Sequence, residues 1–225
     1  MTGKRKYADG CATSHALDLV GERWALPIAR ELLLGAKRFT DLRTGLPGAS
    51  PNVLSQRLRE LEEAGVVRRR TLPPPAASRV YELTEWGREL EPVIIALARW
   101  GSRSPFLDPE AEMSTDSLLL ALRTLFNPHA AEALVARLSL HLGDDVYNLD
   151  VSGKTFEVTR GPNSPADLTI TTDSATLSAL IWGDRTLTDT QKTGDLTLEG
   201  DPATAERFFA LFPLPPTAAR PDTTP

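Results

Sequence analysis

Sulfur is scarce in this chain. One cysteine, Cys11, and two methionines occur in 225 residues. A single cysteine excludes an intrachain disulfide and fits a reducing compartment. The three histidines, His15, His129 and His141, are scattered and lack metal-ligand spacing with carboxylates, so no metal site is expected. No apolar run reaches the length needed to span a bilayer. The N-terminus carries Lys4, Arg5 and Lys6 but no apolar signal core, which points to a cytoplasmic protein without a membrane partner. No Gly-rich phosphate loop follows a strand, and no serine sits in a nucleophile elbow. Asp144-Asp145 reads as a solvated turn. No catalytic residue and no cofactor is therefore expected, and the chain does not read as an enzyme. Internal repeats are also absent.

Net charge is −5, which at first argues against a nucleic-acid partner. The charge is divided unevenly. Residues 1–104 hold 17 Lys and Arg against 12 Asp and Glu, whereas residues 105–225 hold 8 against 18. The basic half suits contact with phosphates, and the acidic half should be repelled by them.

The basic half contains the most informative stretch, Arg38 to Tyr81. Ser50 suits an N-cap and Pro51 the first helical position. Leu54, Leu58 and Leu61 recur at helical spacing, and Gly65 suits a left-handed stop. The opposite face carries Asn52, Ser55, Gln56 and Arg59, side chains able to reach base edges and phosphates, and Arg57 of the same helix joins the candidate contact set. Taken alone, this is any surface helix. Its neighbours sharpen the reading. Phe39, Leu42 and Leu46 form the apolar face of a short helix upstream, and Leu46-Pro47-Gly48-Ala49 makes a tight turn. Downstream, Val66 to Leu72 and Arg79 to Thr84 are strand-like around a Pro-rich tip. Helix, turn, helix and wing imply double-stranded DNA as partner. Arg38, Ser50, Arg68, Arg69, Arg70 and Arg79 complete the candidate contact set. Gln56→Ala is expected to change site preference and Arg69→Ala to weaken all sites alike.

Further elements bracket this motif. Helices are expected over Ser14–Val20, Arg23–Leu34 and Glu85–Ser102, with Pro92 kinking the last or setting its true start. Leu90, Val93, Ile94, Leu97 and Trp100 line one side of that long helix. They can be local core or half of a dimer interface. The interface reading is preferred, because these large side chains lie outside the compact helix-turn-helix. The proline-bearing stretch 105–114 reads as a linker, and the Pro-rich residues 214–225 as a disordered tail. Between them, 115–213 reads as α+β. Helices are expected over Ser117–Phe126, Pro128–Leu142, Asp173–Trp182 and Asp201–Phe212. Strands are expected over Asp145–Val151, Thr155–Arg160, Ala166–Thr171 and Asp195–Gly200.

Residues 11–102 resemble the HxlR-type winged helix-turn-helix regulators. The resemblance rests on Cys11, Ala16-Leu17-Asp18-Leu19-Val20-Gly21-Glu22-Arg23-Trp24, Arg30-Glu31-Leu32-Leu33 and Arg38-Phe39-Thr40-Asp41-Leu42. It continues through Leu46-Pro47-Gly48, Val53 to Leu61, Tyr81-Glu82-Leu83-Thr84 and Trp100-Gly101. Ala12 and Pro27 depart from the family pattern, away from the presumed reading helix. The resemblance implies a homodimer on a pseudo-palindromic operator, with two reading helices about 34 Å apart. It also gives Cys11 two readings, a small buried residue or a redox sensor.

The second half is similar to the sterol carrier protein type-two domain. That similarity rests on Ala166 to Thr171, Leu177 to Gly183 and Gly194 to Asp201. It implies a sheet covered by helices around an apolar cavity for a hydrophobic small molecule, with Trp182, Leu187, Phe208, Phe209 and Phe212 as candidate walls. The same five residues can equally be ordinary core. The overall fold class is thus α+β, a winged helix-turn-helix domain over 1–104 plus a sterol-carrier-like domain over 115–213. The leading reading is a dimeric repressor that senses a hydrophobic molecule. Two alternatives are a C-terminal domain that only dimerises, and a lipid-carrier module whose winged half mediates protein association.

Overall fold

The computed structural model describes residues 6–108, 111–132, 134–161 and 165–220. Two compact units emerge, Met1–Ile94 and Ile95–Pro225. The division falls inside a helix, upstream of the expected linker. Residues 109 and 110 of that linker, 221–225 of the expected tail and the basic Lys4 and Arg5 lie outside the described residues.

The first unit begins with helices α1 (Ala12–Val20), α2 (Ala25–Leu32), α3 (Phe39–Gly45) and α4 (Pro51–Glu63). Strands β1 (Val67–Thr71) and β2 (Arg79–Leu83) form an antiparallel ribbon, with Val67 opposite Leu83 and Arg69 opposite Tyr81. One core joins these elements: Ile28, Ala29 and Leu32 of α2, Leu42 of α3, and Leu54, Leu58 and Leu61 of α4. Val66, Val67 and Leu83 extend it to the base of the ribbon. Glu31 is fully buried within this unit, and its carboxylate accepts from Lys37 Nζ at 2.7 Å and Arg30 Nη2 at 3.1 Å.

The expected long helix is two helices, α5 (Glu85–Arg88) and α6 (Glu91–Gly101). Pro92 explains the break. It has no N–H to bond a carbonyl in the turn before, so it is tolerated only in a first turn. Thr84 starts α5. Its hydroxyl accepts from the Gly87 N–H at 2.9 Å and donates to the Gly65 carbonyl at 2.7 Å. Gly87 packs directly on the chain leaving α4, and a Cβ there would lie 2.1 Å from the Val66 carbonyl oxygen.

The second unit holds α7 (Thr115–Leu125), β3 (Val135–Leu142), β4 (Asp145–Ser152), β5 (Thr155–Arg160) and β6 (Leu168–Thr172). After β6 come α8 (Ser174–Trp182), α9 (Leu187–Thr193), β7 (Thr197–Gly200) and α10 (Pro202–Phe209). The sheet order is β5-β4-β3-β6-β7, antiparallel except where β6 joins β3 in parallel. The helix expected over Pro128–Leu142 is not formed. Its second half is β3, in which Ala136, Leu138, Leu140 and Leu142 are buried at every second position. That period of two belongs to a strand. Helix α9 was not expected, since its sequence Leu187-Thr188-Asp189-Thr190-Gln191-Lys192-Thr193 has little apolar content.

Phe126, Phe156, Phe208 and Phe212 form a ring cluster with centroids 5.0–6.3 Å apart, mostly tilted or edge-to-face, beside the sheet and α10. After α10 the described chain runs without helix or strand as far as residue 220. The Ala218 N–H donates to the Arg103 carbonyl at 2.7 Å, and Arg103 and Arg220 donate to the carbonyls of Pro216 and Pro105. Among the described residues, no helix is long and apolar enough to cross a membrane.

Gly87→Ala is expected to destabilise the winged unit by about 2 kcal/mol, because backbone must move to admit the methyl group. A lowered thermal midpoint by circular dichroism checks this, and an unchanged midpoint contradicts it.

Candidate nucleic-acid interface

Helix α4 is set from both sides. Its N-cap, Ser50, accepts from the Val53 N–H at 3.4 Å, and Pro51 occupies the first position. Gly65 follows the helix with φ +73°, a conformation glycine adopts without strain. Leu54, Leu58 and Leu61 are sunk in the core, so Asn52, Gln56 and Arg59 are exposed on the outer face. Ser55 is half-buried beside them.

Arg57 departs from expectation. Its side chain is largely buried and pairs with Glu60 on α4 and with Glu22 at 3.7 Å, between α1 and α2. It braces α4 and does not belong to the outer face. Ser50 is exposed, with its hydroxyl engaged in the cap.

The ribbon carries a run of three arginines. Arg68 and Arg70 lie on one face of β1, and both donate through Nε to Glu82, at 2.7 Å and 3.0 Å. Burial pulls the Glu82 carboxyl upward, but the bonds and charges of Arg68 and Arg70 together hold it below its ordinary range. Arg69 lies on the opposite face. It grips Glu62 of α4 with Nε at 2.8 and 2.9 Å and Nη2 at 2.6 Å, and its guanidinium lies 5.5 Å from the Tyr81 ring. The hydrogen bonds it donates to Glu62, then the electrostatic effect of Tyr81, push the Arg69 pKa up. Gln56 donates to Glu60 at 3.0 Å. Arg38, Arg59 and Arg79 are exposed, and their side chains have no recorded partner among the described residues.

Cys11 is exposed at the N-cap of α1, not buried. The Thr13 N–H, the Thr13 side chain and the Ser14 N–H pull its thiol pKa down. On α6, Val93 (52% exposed), Leu97 (48%) and Trp100 (77%) are open to solvent. Ile94 and Leu90 are not part of that exposed stripe; they pack on the winged core. An apolar groove of about 220 Å³ lies between Leu19 and Val20 of α1 and Trp86 and Leu90. In the second unit, Phe208 and Phe212 are buried in the ring cluster, while Trp182, Leu187 and Phe209 are half-buried. Sequence reasoning missed the glutamates entirely, although Glu62 and Glu82 were visible in the alternation of charge around the wing.

Comparison with known proteins places this geometry. The profile of the HxlR-like helix-turn-helix family matches residues 19–108. The HTH-type transcriptional regulator YvaP of Bacillus subtilis is 37% identical over 94 residues, which cover 42% of this chain and 85% of YvaP. The chain belongs to the HxlR-like helix-turn-helix family of transcriptional regulators. An HTH-type regulator of Synechocystis is 39% identical over 92 residues, covering 41% of this chain and 68% of that relative. A solved structure of the redox regulator HypR in its oxidised form is 32% identical and covers 43% of this chain and all of that one, with a TM-score of 0.40. Residues 108–218 match the alkyl sulfatase C-terminal family, which is not the sterol carrier family expected from the sequence. In this HxlR-like chain the described residues hold no cluster of His, Cys, Asp and Glu able to bind a metal ion.

Proposed function

We propose that this HxlR-like regulator is a homodimeric repressor that reads a pseudo-palindromic operator through α4. The observation that carries the proposal is the outer face of α4. Asn52, Gln56 and Arg59 are exposed on a helix whose other face is locked in the core. A long polar side chain fixed in this way is suited to base edges in a major groove. Arg38 and Arg79 supply backbone contact, which is salt-dependent and independent of sequence, and Arg68, Arg69 and Arg70 can add to it only when released from their carboxylates.

Dimerisation is assigned to the exposed stripe of α6, with Val93, Leu97 and Trp100 as its anchors. Three large apolar side chains at helical spacing suit a self-complementary interface. Cys11 is assigned as an oxidant-responsive position, on its exposure and its lowered thiol pKa. For the acidic second unit, we assign a hydrophobic small-molecule ligand. Support comes from the apolar Leu177, Leu180 and Ile181 of α8 and from the half-buried Trp182, Leu187 and Phe209. A ligand of this kind regulates only if it binds the DNA-competent and DNA-free states with different affinity.

Selection from a randomised duplex pool is expected to enrich paired half-sites spaced by one helical turn or a multiple of it. Gln56→Ala should change the enriched sequence, with a loss of discrimination of about 1–3 kcal/mol at one position per half-site. No enrichment by the native chain rejects the function, and an unchanged sequence with Gln56→Ala rejects the assignment of that residue. Leu97→Asp with Trp100→Glu should convert a dimer to a monomer in sedimentation velocity; a persistent dimer moves the interface elsewhere. Mild peroxide should weaken operator binding by the native chain and leave Cys11→Ser unaffected. Equal behaviour of the two removes Cys11 from regulation.

A further inference from the structure

The arginines of the wing divide into two sets by what they touch. Arg79 projects from the surface and makes no side-chain hydrogen bond or ion pair among the described residues, and the same holds for Arg59 of the neighbouring α4. Arg68, Arg69 and Arg70, three consecutive cations, are each held by a carboxylate of the same unit. Glu82 sits directly opposite Arg68 in the ribbon and is 7% exposed, with one carboxylate oxygen on Arg68 and the other on Arg70. Glu62, on the last turns of α4, binds Arg69 through both of its oxygens. Three formal positive charges thus meet two negative ones.

We infer that Glu62 and Glu82 restrain DNA binding by neutralising the wing arginines, so that a phosphate must compete with a carboxylate already in place. The inference rests on the DNA-binding function proposed above. Its physical basis is counterion release. Affinity comes from cations released as DNA phosphates are neutralised, and a guanidinium whose charge a carboxylate already balances neutralises a phosphate less and releases fewer of them. Such an arginine adds less to non-specific affinity than an unpaired one. A fork on two carboxylate oxygens is also the geometry that phosphate would take, so the two acceptors exclude each other at Arg69. The glutamates thereby lower attraction to any DNA and leave discrimination to the base-reading face of α4.

The test uses the full chain and a fluorescent random-sequence 40-base-pair duplex, with Kd followed by anisotropy from low to moderate salt. Glu62→Gln is expected to tighten binding roughly three- to tenfold and to steepen the dependence of log K on log salt by about one. Glu82→Gln should act in the same direction. The decisive measurement is a cycle. Arg69→Ala should change affinity little in the native chain and several-fold more in the Glu62→Gln background. Glu62 is partly exposed and its glutamine variant should fold, so the test stands even if Glu82→Gln unfolds. Weaker binding by Glu62→Gln, or an unmoved salt slope with additive mutations, means the glutamates merely position the arginines and overturns the inference alone. Absence of binding by the native chain and both variants, down to the lowest salt, overturns it together with the DNA-binding function.

Discussion

The packing of Leu54, Leu58 and Leu61 onto Ile28, Ala29 and Leu32 is the constraint on which the reading surface depends. These side chains are almost wholly withdrawn from water, each leucine and Ile28 contributing roughly 1.5–3 kcal/mol. Because side chains three and four residues apart share a face, sinking these three leucines fixes the azimuth of the whole helix. Asn52, Gln56 and Arg59 then have one direction available. A rotation of α4 by one residue would expose a leucine and bury a polar side chain, so the aim of the helix is set by hydrophobic burial, not by polar contacts. Arg57 adds a lateral brace through Glu22 and Glu60. Its small residual exposure shows how narrow the outward sector is.

Buried carboxylates perform a second kind of positioning. Glu31, Glu82 and Asp116 are each nearly inaccessible, and each has cationic partners. Such pairs add little net stability, because desolvation offsets much of the attraction, but removing one partner costs about 3–5 kcal/mol. They therefore penalise wrong arrangements more than they reward the right one. In the second unit, Asp116 at the start of α7 accepts from Arg160 of β5 at 2.9 Å and from Tyr147 of β4 at 3.2 Å. Burial, then the Asp116 charge, pushes the Tyr147 hydroxyl to a higher pKa, so it remains the donor. One carboxylate thus registers a helix against two strands.

The winged unit was legible because its signals agree at several levels. The Ser50-Pro51 start, the leucine spacing and the Gly65 stop all mark the same helix, and each is a local rule. The second half was read less well where signals conflict. Ala131, Leu134, Val135 and Leu138 fit a helical face, while Ala136, Leu138, Leu140 and Leu142 fit a strand. A sheet partner on either side decided for the strand. Helix α9 has no apolar stripe to announce it and is held by caps, with Thr186 accepting from the Asp189 N–H and Gly194 at φ +79°. In the Pro-rich end, composition cannot reveal the hydrogen bonds that pair Arg103 with the Pro216 carbonyl and Arg220 with the Pro105 carbonyl. Partner choice was the least legible property of all. Nothing in the run Arg68-Arg69-Arg70 indicates that carboxylates 7–14 residues away claim it.

That last point bears on how this protein can discriminate among sequences. Backbone attraction rewards every site equally, so a strongly cationic surface raises competition from random DNA as fast as it raises operator affinity. A chain with net charge −5, whose densest arginine run is paired internally, begins with weak sequence-independent attraction. Its affinity for a correct site must then come chiefly from the few side chains that touch bases. Gln56 is suited to this. Its amide is tethered to Glu60 through one N–H, which leaves the carbonyl oxygen and the second N–H to face outward. A preset acceptor and donor pair matches the N6 and N7 edge of adenine without further loss of side-chain freedom. In the proposed DNA-binding role, glutamate therefore has two effects on one surface: it mutes the phosphate contacts of the wing and orders the base contact of α4.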